Sequence, residues 1–484
     1  MKNMNRIAAV VLLFLVIISC IVSCSKSPGN NGGNTNPPEA VPASFVEFWK
    51  TSLTQNAFFA KQNTTLGFGS NANEFPTISV DTSRTYQSMD GFGYTLTGGS
   101  ADLINALPAS ARETLLKELF STEGNSIGVS YLRISIGASD LSSSVYTYDE
   151  MAAGQTDINL NNFSIDKERI NLIPVLKQIL AINPAIKIIA TPWTAPTWMK
   201  TNKDWIGGRL NPAYYAVFAD YFARYLQSMK AEGIVIDAIT PQNEPLHGGN
   251  NPSMEMSAAE QADFIKNHLG PKLRTANLGT KIIIYDHNAD RIDYPLEVLG
   301  DAVARPFIDG SSFHLYAGNI DALTSVHNAY PEKNIYFTEQ FTSSTGSFPG
   351  DLAWHLRNLI IGAPRNWSRN VLEWNLANDA GYGPHTNGGC TTCLGAITIS
   401  NNNITRNVAY YIIAHAAKFV RPGSVRVESN FLNNLKNVAF LTKDGKKVLI
   451  VLNDTGNGLS FNIKFKDKWV TTALEGGAVG TFVW

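Results

Sequence analysis

Two glutamates in this sequence each follow a short apolar run and precede polar residues. Glu244 lies in the segment QNEP and Glu339 in the segment FTEQ. If the two carboxylates face each other, one can protonate a departing sugar oxygen. The other can attack the anomeric carbon from roughly 5–5.5 Å, or activate a water from farther away. The pair therefore predicts cleavage of a glycosidic bond, although a lone glutamate at a strand end would more often form a structural salt bridge.

Short β-branched runs alternate with amphipathic stretches from about residue 90, which is typical of a parallel α/β fold. Eight strand–helix units predict a (β/α)8 TIM barrel, with catalytic groups at the carboxyl ends of its strands. Glu244 and Glu339 would then end strands four and seven. The eight runs are Phe92–Leu96, Tyr131–Ile136, Lys187–Pro192, Ile236–Pro241, Lys281–Tyr285, Ser311–Leu315, Asn334–Thr338 and Asn370–Trp374.

Segments at both ends of the chain have the period of antiparallel strands instead. We expect a side β-sandwich built from residues 44–89 and 421–484, beside a barrel over 90–420. A separate C-terminal domain with disordered N-terminal strands is the alternative. The predicted strands are Phe45–Leu53, Thr77–Asp81, Val425–Glu428, Val438–Thr442, Lys447–Asn453, Leu459–Phe465 and Ala478–Trp484.

Polar and aromatic residues also lie in or just after the carboxyl-terminal parts of the predicted barrel strands, where a site at the barrel mouth would need them. Asp140 could instead cap a turn, and the two tryptophans could be core residues. A hydrogen-bonded histidine is a better interpretation of His314 than a metal ligand, because it has no ligand partners at suitable spacing. These residues are Arg133, Asp140, Trp193, Asn243, His314, Tyr316, Trp374 and Asn375.

The N-terminus has the layout of a secretory signal peptide over residues 1–23, with two basic residues before an apolar run. Cys24 ends a segment, IVSC, that resembles a bacterial lipoprotein box, and Cys20 ends a similar one. Residues 24–43 would be a flexible linker. We therefore expect an exported protein with a lipid anchor in the outer or the cytoplasmic membrane. An ordinary signal peptide with incidental cysteines is the alternative.

Charge and cysteine content narrow the possible partners. The formal net charge of −1 gives no indication of nucleic-acid binding. Cys390 and Cys393 lack a second Cys/His pair for zinc, so a structural disulfide that pins a loop is the better interpretation for an exported protein. We predict no metal and no cofactor.

The ordered motifs of this chain resemble glycoside hydrolase family 30, over essentially residues 44–484. They are DGFG at 90–93, IGASDLS at 136–142, TPWTAPTWMKTN at 191–202, PQNEP at 241–245, FHLY at 313–316, FTE at 337–339 and EWNL at 373–376. The resemblance implies a retaining β-glycosidase with Glu244 as acid/base and Glu339 as nucleophile. It also implies that Asp140, Trp193, Asn243, Tyr316 and Trp374 line the subsite of the sugar that is cleaved off, and we add His314 and Asn375 as substrate-binding candidates.

Three functional hypotheses follow from the sequence. An endo-β-1,6-glucanase acting on polysaccharide is the first. An exo-acting β-glucosidase or glucosylceramidase is the second, and a non-catalytic glycan-binding lipoprotein is the third. Retention of both Glu244 and Glu339 argues against the third, since a binding protein needs only an aromatic platform.

Overall fold

The computed structural model describes residues 45–484. The predicted signal peptide, the predicted linker and the two candidate lipidation sites, Cys20 and Cys24, lie outside the described residues. Within residues 45–484, no helix combines the length and the hydropathy needed to cross a membrane.

The strands of the described part, in chain order, are β1 (Phe45–Ser52), β2 (Ala57–Lys61), β3 (Leu66–Gly67), β4 (Thr77–Ser88), β5 (Gly91–Thr95), β6 (Tyr131–Ser135), β7 (Lys187–Thr191), β8 (Ala238–Ile239), β9 (Lys281–Asn288), β10 (Ile308–His314), β11 (Asn334–Glu339), β12 (Thr342–Ser343), β13 (Asn370–Asn375), β14 (Ala377–Asn378), β15 (Cys393–Leu394), β16 (Ile397–Ser400), β17 (Asn403–Arg406), β18 (Val425–Ser429), β19 (Leu435–Leu441), β20 (Lys447–Asn453), β21 (Leu459–Phe465), β22 (Lys468–Leu474) and β23 (Val479–Val483).

The α-helices are α1 (Gly98–Ala106), α2 (Ala109–Phe120), α3 (Leu172–Ile182), α4 (Tyr215–Ala231), α5 (Ala258–Phe264), α6 (Gly270–Thr275), α7 (Asp293–Gly300), α8 (Ala322–Ala329), α9 (Phe348–His355), α10 (Ala363–Arg365) and α11 (Val408–Ala417). One turn of π-helix joins α5 to α6 (Ile265–Leu269), and another joins α9 to α10 (Leu356–Gly362). Short 3-10 turns are Thr197–Met199, Pro212–Tyr214 and Arg305–Phe307.

Eight parallel strands, β5 to β11 and β13, form one sheet in which β13 pairs with β5. Neighbouring strands pair in parallel, as in the pairing of Tyr131 on β6 with Lys187 on β7. The ring nearly closes between β11 and β13, where the Arg369 amide donates to the Ile335 carbonyl at 2.9 Å. The predicted (β/α)8 barrel is confirmed.

Apolar side chains fix the helices on the outside of this barrel and fill its interior. On α4 the apolar stripe repeats every four residues through Phe218, Phe222 and Leu226, all buried. Burying each of these side chains stabilises the fold by roughly 1.5–3 kcal/mol. The interior below the mouth is packed rather than hollow. It contains Tyr131, Ile189, Ala238, Ile283, Tyr336 and Leu372.

Two barrel strands differ from the predicted length by three residues or more, and one of these differences matters for the site. Strand β8 is only Ala238–Ile239, whereas β9 continues past the predicted Tyr285 to Asn288. Tyr285 and Asp286 have φ of 74° and 65°, in the left-handed region. The pairing with β10 skips Asp286, which makes it the extra residue of a β-bulge. Such a bulge redirects a side chain beside an active site.

Both ends of the chain contribute to the side β-sandwich, as predicted. Its strand order is β2-β1-β23-β20-β19-β18-β4-β21-β22. N-terminal β1 pairs with C-terminal β23, where the rings of Phe48 and Phe482 stack 4.5 Å apart. The expectation of wholly antiparallel pairing was wrong at one point, because β4 pairs with β21 in parallel. The short strands β2 and β3 and the strand β22 were not predicted from the sequence.

The sandwich packs directly against the barrel. Phe440 of β19 meets Phe92 of β5 edge to face, with ring centroids 6.5 Å apart. Arg357 of the π-helical turn after α9 donates to the Asp454 carboxylate at 2.7 Å. These contacts hold the two parts together as one compact unit of the described residues.

Candidate active site

A pocket of about 280 Å³ opens at the carboxyl ends of the barrel strands. Seven of the nine predicted catalytic and substrate-binding residues line it, although they are far apart in sequence. These seven are Asp140, Trp193, Asn243, Glu244, Tyr316, Glu339 and Trp374. The pocket is also lined by His247, Asn250, His287, Asn288, Phe341, Cys390 and Cys393.

Glu244 and Glu339 lie across the pocket from each other. Glu339 is the last residue of β11, and Glu244 follows β8. One carboxylate oxygen of Glu244, one of Glu339 and one ring nitrogen of His314 all lie within 4.8 Å of one another. This spacing fits the closely placed carboxyl groups of a retaining mechanism, in which one of them attacks the anomeric carbon directly.

The backbone of Glu244 is itself unusual. Its φ of 44° lies in the left-handed region, which few residues other than glycine occupy. The amide of Glu244 donates to the Asp286 carbonyl at 3.0 Å, which fixes this conformation against the bulge of β9. Strained backbone of this kind is commonly retained where it aims a functional side chain.

Two donors hold the carboxylate of Glu339. Arg133, fully buried at the middle of β6, donates from Nη1 to Oε2 at 2.5 Å. The Tyr316 hydroxyl donates to Oε1 at 3.0 Å. Charge-assisted bonds of this type favour the ionised form of a carboxylate and fix its orientation. Glu339 is therefore presented to the pocket in one geometry.

Glu244 has a different set of neighbours, rich in imidazole. Nδ1 of His314 lies 3.2 Å from Oε1. The Asn250 side-chain amide donates to Oε2 at 3.3 Å, and Nε2 of His287 lies 3.9 Å from Oε1. Groups that can exchange or share a proton therefore surround this carboxyl group.

A fully buried carboxylate beneath the pocket, Asp286, joins these two environments. Its Oδ2 accepts from Nη2 of Arg133 at 2.8 Å, and its Oδ1 lies 3.3 Å from Nε2 of His314. The hydroxyls of Thr240 and Thr338 donate to it at 2.9 and 2.6 Å. Burial would raise the pKa of Asp286, but Arg133 and His314 hold it well below its ordinary value. Asp286 is thus a permanent negative charge that keeps Arg133 and His314 in place.

The protons of Glu244, Glu339 and His314 are coupled. Burial raises the pKa of Glu339, against the charges of His314 and Arg133. Burial would also raise the pKa of Glu244, but the hydrogen bond and charge of His314 lower it. Burial would lower the pKa of His314, yet Glu339 and Asp286 raise it to about 9. His314 is therefore the group that carries the proton at neutral pH.

Because His314 is protonated, we expect the free energy of unfolding to depend on pH. Since the pKa of His314 rises from 6.5 to about 9 on folding, charged His314 stabilises the fold. The contribution is fully present below about pH 6.5 and is lost as pH rises through about 9, up to ~3 kcal/mol in total. Urea unfolding at about pH 6 and about pH 10 measures it as the difference between the wild type and His314→Gln.

The subtraction is needed because burial also raises the pKa of Asp140, Asp149 and Glu168 to about 7. Titration of these carboxyl groups changes the free energy of unfolding of the wild type and of His314→Gln by the same amount. A difference between wild type and His314→Gln that is the same at the two pH values would contradict a protonated His314.

Two tryptophans form the aromatic wall of the pocket. Trp193 and Trp374 are almost fully buried, with ring centroids 5.4 Å apart. The Arg133 guanidinium lies 4.8 Å from the Trp193 ring centroid, which adds a cation–π contact. The pair supplies an apolar surface on which a sugar face can stack.

Asn243 and Asp140 supply the polar groups that can bind sugar hydroxyls. The side-chain oxygen of Asn243 accepts from Arg133 at 2.6 Å, which leaves its amide NH2 to donate to a hydroxyl. Asp140 is buried, and its Oδ2 accepts from the Cys390 amide at 3.4 Å. Cys390 and Cys393 form a disulfide in the same wall.

Two predicted substrate-binding residues do not line the pocket. Asn375 was expected there, but its side-chain oxygen accepts from Thr97 and Ser100 at 3.2 and 2.8 Å. It therefore joins the ends of β5 and β13. His314 is fully buried beneath the carboxylates and holds Glu244 and Asp286 instead of a sugar.

Arg133 and Asp286 carry functions that the sequence analysis did not assign. Arg133 was visible as a charged residue within an apolar strand, without an evident partner. Asp286 gave a weaker signal: an Asp-His-Asn run directly after the predicted fifth strand. Only the bulge of β9 turns it inward.

Glu244, His314 and Glu339 have the spacing of a metal site. The surrounding charges oppose that function. A cation there would compete with Arg133 for the Glu339 carboxylate. It would also compete with the proton on His314, because the pKa of His314 is raised to about 9. The group is better described as a proton-sharing network than as a ligand set.

A (β/α)8 barrel with paired carboxylates, an aromatic wall and hydroxyl-binding side chains at its mouth defines a glycoside hydrolase. Residues 89–420 match the model of the glycosyl hydrolase family 30 TIM-barrel domain, and residues 423–482 match that of the family 30 beta sandwich domain. The chain belongs to glycosyl hydrolase family 30, whose members are retaining hydrolases.

Relatives of known name span most of the chain. Endo-1,6-beta-D-glucanase BGN16.3 of Trichoderma harzianum is 36% identical over 408 residues, covering 79% of this chain and 81% of its own. Putative glucosylceramidase 2 of Caenorhabditis elegans is 31% identical, covering 82% of this chain and 80% of its own. Among solved structures, the endo-beta1,6-glucanase BT3312 is 35% identical with a TM-score of 0.83, covering 91% of this chain and 99% of its own.

Proposed function

We propose that this protein hydrolyses β-1,6-glucan by double displacement, with Glu339 as nucleophile and Glu244 as acid/base. The observation that carries the proposal is the pair of carboxylates at the ends of β8 and β11, with oxygens no more than 4.8 Å apart. In the first step Glu339 attacks the anomeric carbon while Glu244 gives its proton to the departing glucan oxygen. In the second step Glu244 takes a proton from water, which displaces Glu339.

The neighbours of each glutamate support these roles. A nucleophile must be ionised and fixed, and Arg133 and Tyr316 both donate to Glu339. An acid/base must exchange a proton in each step, and His314 lies 3.2 Å from Glu244. The same ring nitrogen of His314 lies farther from Glu339, at 3.7 Å from Oε1.

The pKa shifts of the free protein run opposite to these roles, since the pKa of Glu339 is raised and that of Glu244 is lowered. A general acid needs a raised pKa, whereas the pKa of Glu244 is lowered because the proton rests on His314. A bound sugar excludes water from the pocket and so disfavours separated charges. We infer that this desolvation moves the proton from Nδ1 of His314 to Glu244, which arms the acid.

Relatives support β-1,6-glucan as the substrate. Three curated relatives from fungi, 34–36% identical, are named endo-1,6-beta-D-glucanases, as is the solved structure at 35%. Product analysis tests the proposal. The protein should release a series of oligosaccharides from linear β-1,6-glucan, far faster than from β-1,3-glucan, xylan or glucosylceramide. Proton NMR at early times should show the β-anomer first.

An exo-acting β-glucosidase or glucosylceramidase is the second candidate. It is favoured by relatives of this chain named glucosylceramidases, 27–31% identical. The same experiment separates the two candidates, since exo action gives glucose alone. A non-catalytic glycan-binding protein would release no product from any of these substrates.

We also propose export and a lipid anchor at Cys24, on the sequence alone. The support is the signal-like segment and the motif IVSC before a polar linker. Cys24→Ala should release the protein from the membrane fraction with unchanged catalytic activity. If Cys20→Ala does so instead, the anchor lies one motif earlier. If neither substitution changes the fractionation, the protein is not lipid-anchored through these cysteines.

A further inference from the structure

The loop of residues 384–394, here called the disulfide loop, forms part of the pocket wall. It precedes β16 and contains the disulfide between Cys390 and Cys393, and both cysteines line the pocket. Cys393 packs with Leu141, Trp193 and Trp374 in one small apolar cluster. The disulfide is therefore part of the surface that faces the substrate.

The disulfide loop binds Asp140 through main-chain groups. The Cys390 amide donates to Oδ2 of Asp140 at 3.4 Å. The Thr386 amide donates to the Asp140 carbonyl at 2.8 Å. Gly389 packs so closely that a Cβ there would lie 2.4 Å from the same carbonyl oxygen, so the position requires glycine. The loop thus fixes both the backbone and the carboxylate of Asp140.

The same loop is anchored to two other loops of the barrel mouth. The Asn251 side chain donates to the Asn387 carbonyl at 2.9 Å, which connects it to the segment that follows Glu244. Short β15 pairs with β12, directly after the strand that ends in Glu339. The disulfide loop therefore links Asp140 to the two segments that carry the catalytic carboxylates.

We propose that the disulfide loop is a substrate-positioning device that acts through Asp140, with the Cys390–Cys393 disulfide holding the Cys390 amide on its carboxylate. One carboxylate oxygen is thereby occupied, and the other is aimed at the distal hydroxyls of the sugar. The Cys390–Cys393 disulfide closes a very short loop, so it restricts the unfolded chain only modestly. Its location beside Asp140 therefore explains the disulfide better than a contribution to global stability does. The proposal rests on the function proposed above.

A double-mutant cycle tests the coupling. Cys390→Ser/Cys393→Ser should lower kcat/KM on β-1,6-glucan about 10-fold or more, as expected when a hydrogen bond that positions a substrate-binding carboxyl group is lost. In an Asp140→Ala background the same pair of substitutions should change kcat/KM by less than about 2-fold. Thr391→Ala, an exposed position between the cysteines, is the matched control and should match the wild type.

A second variant covers the case in which the cysteine pair fails to fold by circular dichroism. Gly389→Ala keeps the disulfide but moves the loop away from Asp140, and it should show the same loss and the same dependence on Asp140. Equal fold losses with and without Asp140 would overturn the proposal, as would wild-type kcat/KM in the cysteine variant. If the wild type cleaves a different β-glycoside, the proposed substrate is wrong, and the cycle is measured on the glycoside that it cleaves.

Discussion

Glu339→Gln is expected to lower kcat at least about 10⁴-fold on natural and activated substrates alike. The substitution keeps the size of the side chain and its hydrogen bond from Tyr316, but an amide cannot form the glycosyl ester. Since the loss is in the chemical step, a good leaving group should not rescue it. Stopped assays with glucan and with a nitrophenyl β-glucoside measure both rates. Added azide should not restore a product of retained stereochemistry.

Glu168→Gln is the matched control for this substitution. Glu168 is buried and accepts hydrogen bonds from Tyr146 and Tyr148, outside the pocket. Burial raises its pKa to about 7, so the neutral form that glutamine mimics is already well populated near neutral pH. This variant should keep wild-type kcat. Near wild-type turnover by Glu339→Gln would show that another group is the nucleophile.

Glu244→Ala is expected to separate substrates by leaving group. A sugar hydroxyl leaves poorly without a proton, so hydrolysis of glucan should fall about 10²–10⁴-fold. A nitrophenolate leaves unaided, so the glycosyl-enzyme should form almost normally from an aryl glycoside. Loss of the base for the second step should then make deglycosylation limiting. A burst of nitrophenolate in a stopped-flow experiment should report this change.

Azide provides the internal control for the same variant. It needs no general base, so it should accelerate turnover of the aryl glycoside and give a β-glycosyl azide. The wild type should respond little. If Glu244→Ala slowed glycosylation by glucan and by the aryl glycoside by the same large factor, Glu244 would not be the acid/base.

The sequence predicted the barrel because each strand is a short apolar run between amphipathic helices. It also predicted seven of the residues that line the pocket, since a strand-end position is a local property. The contacts beneath the pocket were harder to predict. Arg133 meets Glu339 and Asp286 only after β6, β9 and β11 are brought together by the closed ring. Pairing between distant residues leaves no local pattern.

Asp286 shows most clearly which contacts a sequence pattern cannot predict. Its side chain points to the pocket floor because a bulge interrupts the alternation of β9, and an alternating pattern cannot reveal one extra residue. Asn375 shows the reverse error. It follows Trp374 at a strand end, but adjacent strand residues face opposite ways, and its side chain meets Thr97 and Ser100.

The central claim is that Glu339 forms the covalent intermediate, and trapping tests it most directly. A 2-deoxy-2-fluoro-β-glucosyl fluoride reacts with the nucleophile but slows the release of the intermediate, because the fluorine destabilises the positively charged transition state. After incubation and proteolysis, tandem mass spectrometry should find one fluoroglucosyl group, on the peptide containing Glu339 and on that side chain. A label on Glu244 or another residue, or time-dependent inactivation of Glu339→Gln, would contradict the account.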